Sequence, residues 1–348
     1  MRRLDAASLE AWARALLEGA GLVPGAAVTV ASTLVEASVR GVDSHGVNRL
    51  PVYVERIRAG LVTADPQPRV ERRDGAFALM SGDGGPGSVA GVAATDLSVE
   101  LAREYGVGAV AVHRSTHFGA AGHYVVRAAR AGMVALATTN AEPYVVAYGG
   151  AGRALGTNPI AVAAPTEGDP WVFDMATSQV AVGKVLVAAK EGRPIPPGWG
   201  VDAQGAGTTD PARVEAMVPL GGYKGYGLAV VAELLSGVLS GAGVRESIGR
   251  MYDDWDRPQD VGHFHLALDP ERTVGRAAFA AGMQALIAGL RAMPPGPGHD
   301  AVLVAGDPEG RVQAERGRDG IPLSGELWSD LERLSGELRV EPPPALTP

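Results

Sequence analysis

The 348-residue chain contains no cysteine, which excludes disulfide frameworks, thiolate metal sites and cysteine nucleophiles. It lacks a long unbroken apolar run. The longest, residues 227–244, is interrupted by Glu233 and several glycines and reads as a buried helix, not a membrane span. The opening MRRLDAASLEAW has two basic residues but no apolar stretch behind them, so it does not read as a secretory signal. Positive charge is short: 31 Lys and Arg stand against 39 Asp and Glu, for a net charge of -8. That balance argues against a nucleic-acid partner and requires any anionic ligand to be captured by local Arg or Lys against the overall field. There is no internal repeat, no GxxxxGK[ST] phosphate loop and no GxSxG elbow. SGDGGPGS at 81–88 does not match GxGxxG with an acid about twenty residues on, so a classical dinucleotide fingerprint is missing. The expectation is a cytoplasmic protein with no membrane or nucleic-acid role.

What is present is ordinary globular composition, 46% hydrophobic and 20% charged, with 48 glycines and 25 prolines. The glycines lie scattered between apolar runs, which implies tight turns and close backbone approaches rather than low complexity. The length suits two domains or one large core with insertions.

Helical spacing of Leu9, Trp12, Ala13 and Leu16 predicts a helix over 5–19 capped by Asp5. A second is expected over about 26–39, ending at Gly41. From Ala76 the texture changes: strands FALMSG, GAVAVH, MVALATT, PIAVAAP and WVFDMA alternate with helices over 89–104 and 122–131, predicting a central sheet covered by helices. Residues 190–214 read as a long functional loop. Two apolar helices follow, 226–240 and 276–291, then a strand AVLVAG at 301–306 and a last helix over about 324–338. The ending PPPALTP is expected to be disordered.

Four segments carry chemistry. RGVDSHGVNRLPVY, residues 40–53, brings Ser44, His45 and Arg49 together. An imidazole can hand over a proton near neutral pH and a guanidinium can grip a carboxylate with two parallel hydrogen bonds; a decorated surface loop is the plain alternative. STHFGAAGHY, 115–124, sets His117 at a strand end before small residues that open a helix, where free amides suit a phosphate. A helix-capping turn would look the same. In GTNPIAVAAP and FDMATSQVAVGK, Asp174 interrupts an apolar strand and is followed by Thr177, Ser178 and Lys184. Its carboxylate could accept from ribose hydroxyls or cap the next helix. PLGGYKGYGLA, 219–229, places Lys224 beside a helix N-terminus, an anion-friendly arrangement. His263 and His265 alternate as in a strand and read as structural, so no metal site is expected.

Taken in order, these segments, with PPGWGVDAQGAGTTDP and RGRDGIPL, resemble the malate/L-lactate dehydrogenase type 2 family over roughly Leu9 to Leu334. Ureidoglycolate dehydrogenases, diketogulonate reductases, sulfolactate dehydrogenases and piperideine- or pyrroline-2-carboxylate reductases look like its members too. The resemblance implies an α/β, non-Rossmann NAD(P)-binding fold, its central sheet largely antiparallel or mixed and surrounded by helices, assembled as a homodimer. It divides the chain into a helical substrate and dimer region (1–75) packed with a C-terminal segment (306–340), an NAD(P)-binding core (76–305) and a disordered tail (341–348). It implies His45 as proton donor, oriented by Ser44, with His117 competing for that role. Arg49 would clamp the substrate carboxylate, with Thr157 and Lys184 as further substrate contacts. The cofactor, NAD or NADP, would meet His117, Phe118, Gly119, Ala120 and Ala121, then Asn140, Asp174, Met175, Ala176, Lys224, Gly225 and Gly306. The family often has a proline-glycine turn where this chain has Ala305-Gly306-Asp307. The implied activity is hydride transfer between NAD(P)H and a small 2-oxo acid, or alternatively a cyclic imine such as Δ1-piperideine- or Δ1-pyrroline-2-carboxylate. A Ser44-based hydrolase and a non-catalytic anion-binding protein are the readings from other classes.

Overall fold

The structure, a computed structural model, describes residues 2–346. At its centre is a seven-stranded sheet: β1 (Arg69–Asp74), β2 (Phe77–Ser81), β3 (Val107–Ser115), β4 (Val134–Thr139), β5 (Ile160–Ala164), β6 (Trp171–Met175) and β7 (Val261–Leu268). The spatial order is β1-β2-β3-β7-β4-β5-β6. Only β2 and β3 run parallel; every other neighbouring pair is antiparallel. The fold is therefore α/β with a mixed, largely antiparallel sheet, and not a doubly wound parallel one.

β7 arrives from far along the chain and inserts between β3 and β4, pairing Phe264 with Ala111 on one side and Thr138 on the other. Alternation along the strands sorts the two faces. Ala109, Ala111, Phe264 and Leu266 share one face and pack with Leu235. The opposite face carries Val110, Val112, Ala135 and Ala137 beneath two helices, α4 (Gly87–Tyr105) and α5 (Gly122–Arg130). α4 lies close against the sheet edge because residue 87 has no side chain: a Cβ there would stand 2.1 Å from the Thr116 carbonyl oxygen.

A second core joins the two ends of the sequence. α1 (Ala6–Gly19), α2 (Pro24–Val39) and α3 (Leu50–Arg58) pack with α10 (Gly325–Leu338) around Leu9, Leu16, Leu34 and Leu331. Residues 2–4 pair with 321–323, and the Trp12 indole donates to Ser335 Oγ at 2.8 Å. A smaller five-stranded sheet, built from short pieces between residues 145 and 217, decorates the region expected as a long loop.

Several expectations change. Residues 301–306 form no strand but a turn leading into α9 (Asp307–Asp319), a helix the sequence reading missed. The tail is held as far as it is described: the Leu346 amide donates to the Arg3 carbonyl at 2.9 Å and Ala345 packs on the N-terminal core, while 347–348 lie outside the described residues. The apolar helices α7 (Tyr223–Glu233) and α8 (Arg276–Arg291) are present but only thinly covered. Val231 is 48% exposed and Leu286 56%. The sequence reading also missed α3 and the short helix α6 (Val182–Lys190), while the other expected elements are found within a few residues of their predicted bounds.

Candidate active site

Gly41, at φ +81°, turns the chain out of α2 into two short 3₁₀ turns, Asp43–His45 and Val47–Arg49. Arg316 of α9 fixes this loop: it donates to both Asp43 carboxylate oxygens, at 2.5 and 2.8 Å, and to the Ser38 carbonyl. Ser44 Oγ lies 2.9 Å from His45 Nδ1, which leaves Nε2 of that ring free of the hydroxyl. Arg49 donates from Nε to the Ser44 carbonyl at 2.7 Å and from Nη1 to the Tyr252 hydroxyl. No described group takes its Nη2.

His117, two residues beyond β3, brings its ring within 5.4 Å of the His45 ring at an interplanar angle of 21°. Its Nδ1 is met from two sides, by the Tyr53 hydroxyl at 2.6 Å and by the Gly119 amide at 3.3 Å. An amide can only donate, so Nδ1 accepts, and the neutral ring carries its proton on Nε2. The His117 amide donates to Gln259 Oε1 at 3.2 Å, tying the turn to the start of β7. Phe118 is buried between Tyr124 and His263, 4.7 Å from each. Burial is the first cause that holds both catalytic-candidate imidazoles below their ordinary pKa. His45 is pushed down to about 4, with help from Arg49, and His117 lies well below 6.5, with help from His45 and Arg49.

Ser44, His45, His117, Phe118 and Gln259 line one end of a cavity of about 530 Å³, a size ordinary for small-molecule sites. Arg49, Tyr53 and Tyr252 are not in its lining, and Arg49 is tied to it through the Ser44 carbonyl. The other end is walled by Val172–Ala176 and Leu303–Gly306. Of the expected residues, Ser44, His45, Thr157 and Asn140 border it, as do His117 through Ala121, Asp174 through Ala176, and Gly306. Asn140 spends its amide on the backbone, bonding the Gly243 carbonyl and the Gly262 amide. Asp174 caps a helix, but α5 rather than the next one: its Oδ2 accepts the Gly122 amide at 2.7 Å. Desolvation by the surrounding protein pushes its carboxyl up to about 6, against the Gly122 amide and Arg40, which favour the charged form. Lys184 and Lys224 stand exposed on α6 and α7, and Gly225 is buried within α7; the structure does not bring these three to the cavity.

Sequence reasoning missed Tyr53, Tyr252, Gln259 and Glu142. Glu142, 5% exposed, borders the cavity and accepts the Met251 amide at 3.2 Å. His263 and His265 are buried and serve packing; His265 Nδ1 meets Thr95 Oγ1 at 3.1 Å. No group of metal-ligating side chains occurs among the described residues.

Chemically, the arrangement offers proton transfer beside a carboxylate anchor. The residues also suit a dinucleotide. The amides of Ala120 and Ala121 donate to no described group and border the cavity where small side chains leave room for phosphate. Asp174 beyond them keeps one carboxylate oxygen, Oδ1, that no described residue donates to.

A model of the malate/L-lactate dehydrogenase family matches residues 4–332. The chain belongs to that family. It is similar to a ureidoglycolate dehydrogenase (NAD(+)) of Escherichia coli O157:H7, 37% identical over 90% of each chain. A (2R)-3-sulfolactate dehydrogenase (NADP(+)) of Chromohalobacter salexigens is 41% identical over 77% of this chain and 81% of that one. The crystal structure of malate dehydrogenase from Entamoeba histolytica superposes with a TM-score of 0.93 at 29% identity, covering 98% of this chain and 99% of that one. Family membership makes the chain an oxidoreductase of the dehydrogenase type. Among the described residues, no helix is long and apolar enough to cross a membrane.

Proposed function

We propose that this NAD(P)-dependent oxidoreductase interconverts a small 2-oxo acid and its 2-hydroxy acid, as a malate- or lactate-like dehydrogenase. The observation that carries the reading is the stacked His45–His117 pair, 5.4 Å apart, with an Arg49 guanidinium that keeps one edge unspent. Bound nicotinamide supplies hydride to the substrate carbon in reduction and accepts it in oxidation. Arg49 grips the carboxylate, so the substrate presents one face. His45 gives the proton to the carbonyl oxygen and takes it back in oxidation, while Ser44 holds the ring. A bound carboxylate adds negative charge beside imidazoles that burial keeps neutral, lifting them towards working pH. Thr157 is the second substrate contact. Phe118–Ala121, Asp174–Ala176 and Gly306 hold the cofactor, with Asn140 bracing the cavity wall through Gly243 and Gly262, and residues 76–305 form the core beneath it.

A cytoplasmic homodimer belongs to the same proposal. Val238 at 68% and Met293 at 56% exposure leave apolar surface on and beyond α7 and α8 that suits a second copy. The test follows loss of NADH or NADPH with a panel of 2-oxo acids and the two cyclic imines. His45→Ala is expected to lower kcat about 10²–10⁴-fold, the range for lost acid–base catalysis, and His117→Ala less. The opposite ranking hands the proton to His117. No turnover with any acid or imine and either cofactor overturns the reading.

A further inference from the structure

Among the carboxyls that border the cavity, Glu142 has no part in the proposed reaction. Glu142 lies two residues after Asn140, is 5% exposed, and shares the cavity end with Ser44, His45 and His117. Its Oε1 accepts the Met251 amide at 3.2 Å. No other described residue donates to Oε2, and Glu142 is one of the residues that line the cavity.

Its charge environment is specific. Burial favours the neutral acid, while Glu142's own amide, the Met251 amide, Arg49 and Arg56 favour the carboxylate. Arg56 is committed elsewhere, bonding the carbonyls of Met251, Asp254 and Arg257. Of these two guanidiniums, Arg49, beside the lining residue Ser44, is the one that keeps a free terminal nitrogen, Nη2, for a substrate carboxylate. A 2-oxo acid held there by its carboxylate, with its carbonyl at the imidazoles, has only its distal substituent left to meet Glu142.

We infer that Glu142 selects the distal group of the substrate: it accepts a hydrogen bond from a hydroxyl, amide or ammonium and turns away a second carboxylate or sulfonate. This rests on the 2-oxo acid reading above and narrows it to the lactate-like branch, because malate and oxaloacetate carry the second carboxylate that Glu142 turns away. A like charge placed in so enclosed a site is rejected by repulsion and lost solvation, whereas a donor satisfies the one acceptor still open.

The experiment compares 2-oxosuccinamate with oxaloacetate, which differ only in an amide for a carboxylate, and uses pyruvate as the reference for turnover. The full-length enzyme is assayed with NADH and NADPH. The wild type is expected to show kcat/KM at least about tenfold higher for the amide, and Glu142→Gln to shrink that ratio by about tenfold, chiefly through KM. Glu142→Ser, which removes the carboxyl with a smaller side chain, guards against misfolding of the first variant, and thermal unfolding checks both. Pyruvate turnover with the same amide-to-acid ratio in wild type and variants overturns the role of Glu142 alone, as does a wild type that prefers oxaloacetate. Loss of all turnover in the wild type, pyruvate included, overturns the reaction and this selection with it.

Discussion

His117 Nδ1 is claimed by Tyr53 and Gly119, so the reactive edge of that ring is set by two neighbours and not by its own rotamer. Tyr53→Phe removes the hydroxyl but keeps the ring that packs edge-on to His117, 6.0 Å away. We expect kcat to fall about tenfold, within the range of an orienting hydrogen bond, with thermal stability little changed. An unchanged kcat would remove Tyr53 from the site. The depressed imidazoles make a second expectation. Oxidation of a hydroxy acid needs a neutral base, and a pKa lowered to about 4 at His45 keeps the base neutral further into acid. The kcat/KM for oxidation should hold its plateau down to about pH 5 and fall below it. A decline already under way at pH 7 would show an ordinary imidazole. At this scale the sequence was informative about Ser44, His45, Arg49 and His117, because rare polar types crowd into short stretches between glycines. It was silent on Tyr53, Tyr252 and Glu142. Tyr252 meets Arg49 across 203 positions, and nothing local to GRMYDDWDRPQD distinguishes it from a polar loop.

Among the elements, α3 joins the site's two halves. Tyr53 and Arg56 are three residues apart, so they share a face. One reaches His117 and the other reaches the loop that presents Tyr252 to Arg49 and the Met251 amide to Glu142. Arg56 is 2% exposed, and its guanidinium satisfies three carbonyls. Arg56→Met keeps the volume but leaves those carbonyls without a donor. The cost should be about 2–4 kcal/mol, with a raised KM because the loop carrying Tyr252 is released. Urea unfolding and substrate kinetics check it together; an unaltered KM would uncouple the loop from substrate binding. Elements were legible where periodicity was strong, as in α2, α4 and β2 through β6. They failed in two instructive places. AVLVAG has a strand's composition, but no open sheet edge receives it. DPEGRVQAERGRD has no buried residue and two glycines, so α9 left no apolar stripe to read, although its Arg316 locks Asp43.

At the scale of the whole molecule, strand direction was the part least available locally. Parallel and antiparallel strands share one side-chain period, and the insertion of β7 between β3 and β4 joins residues about 150 positions apart. Only the order of several motifs carried that information. The same insertion buries His263 and His265 beneath α4 and α5, at 0% and 2% exposure. Burial pushes His263 down to about 4 and His265 well below its ordinary value. Between pH 4 and 6.5 the unfolded chain thus binds protons that the folded chain refuses, so stability is complete above 6.5 and lost as pH falls through that window. Asp174 and Glu142 act in the opposite sense, since their raised values penalise the charged form and favour the fold at lower pH. The net slope mixes both signs, and the histidine share is isolated by difference. His263 Nδ1 has no partner and its ring packs on Phe118, so His263→Phe removes the proton site while keeping an aromatic in the layer. Between pH 7.5 and 5 the variant should lose less stability than the wild type, by at most about 1.4 kcal/mol per pH unit for one group. Parallel stability curves for the two proteins would mean that water reaches His263 in the folded state.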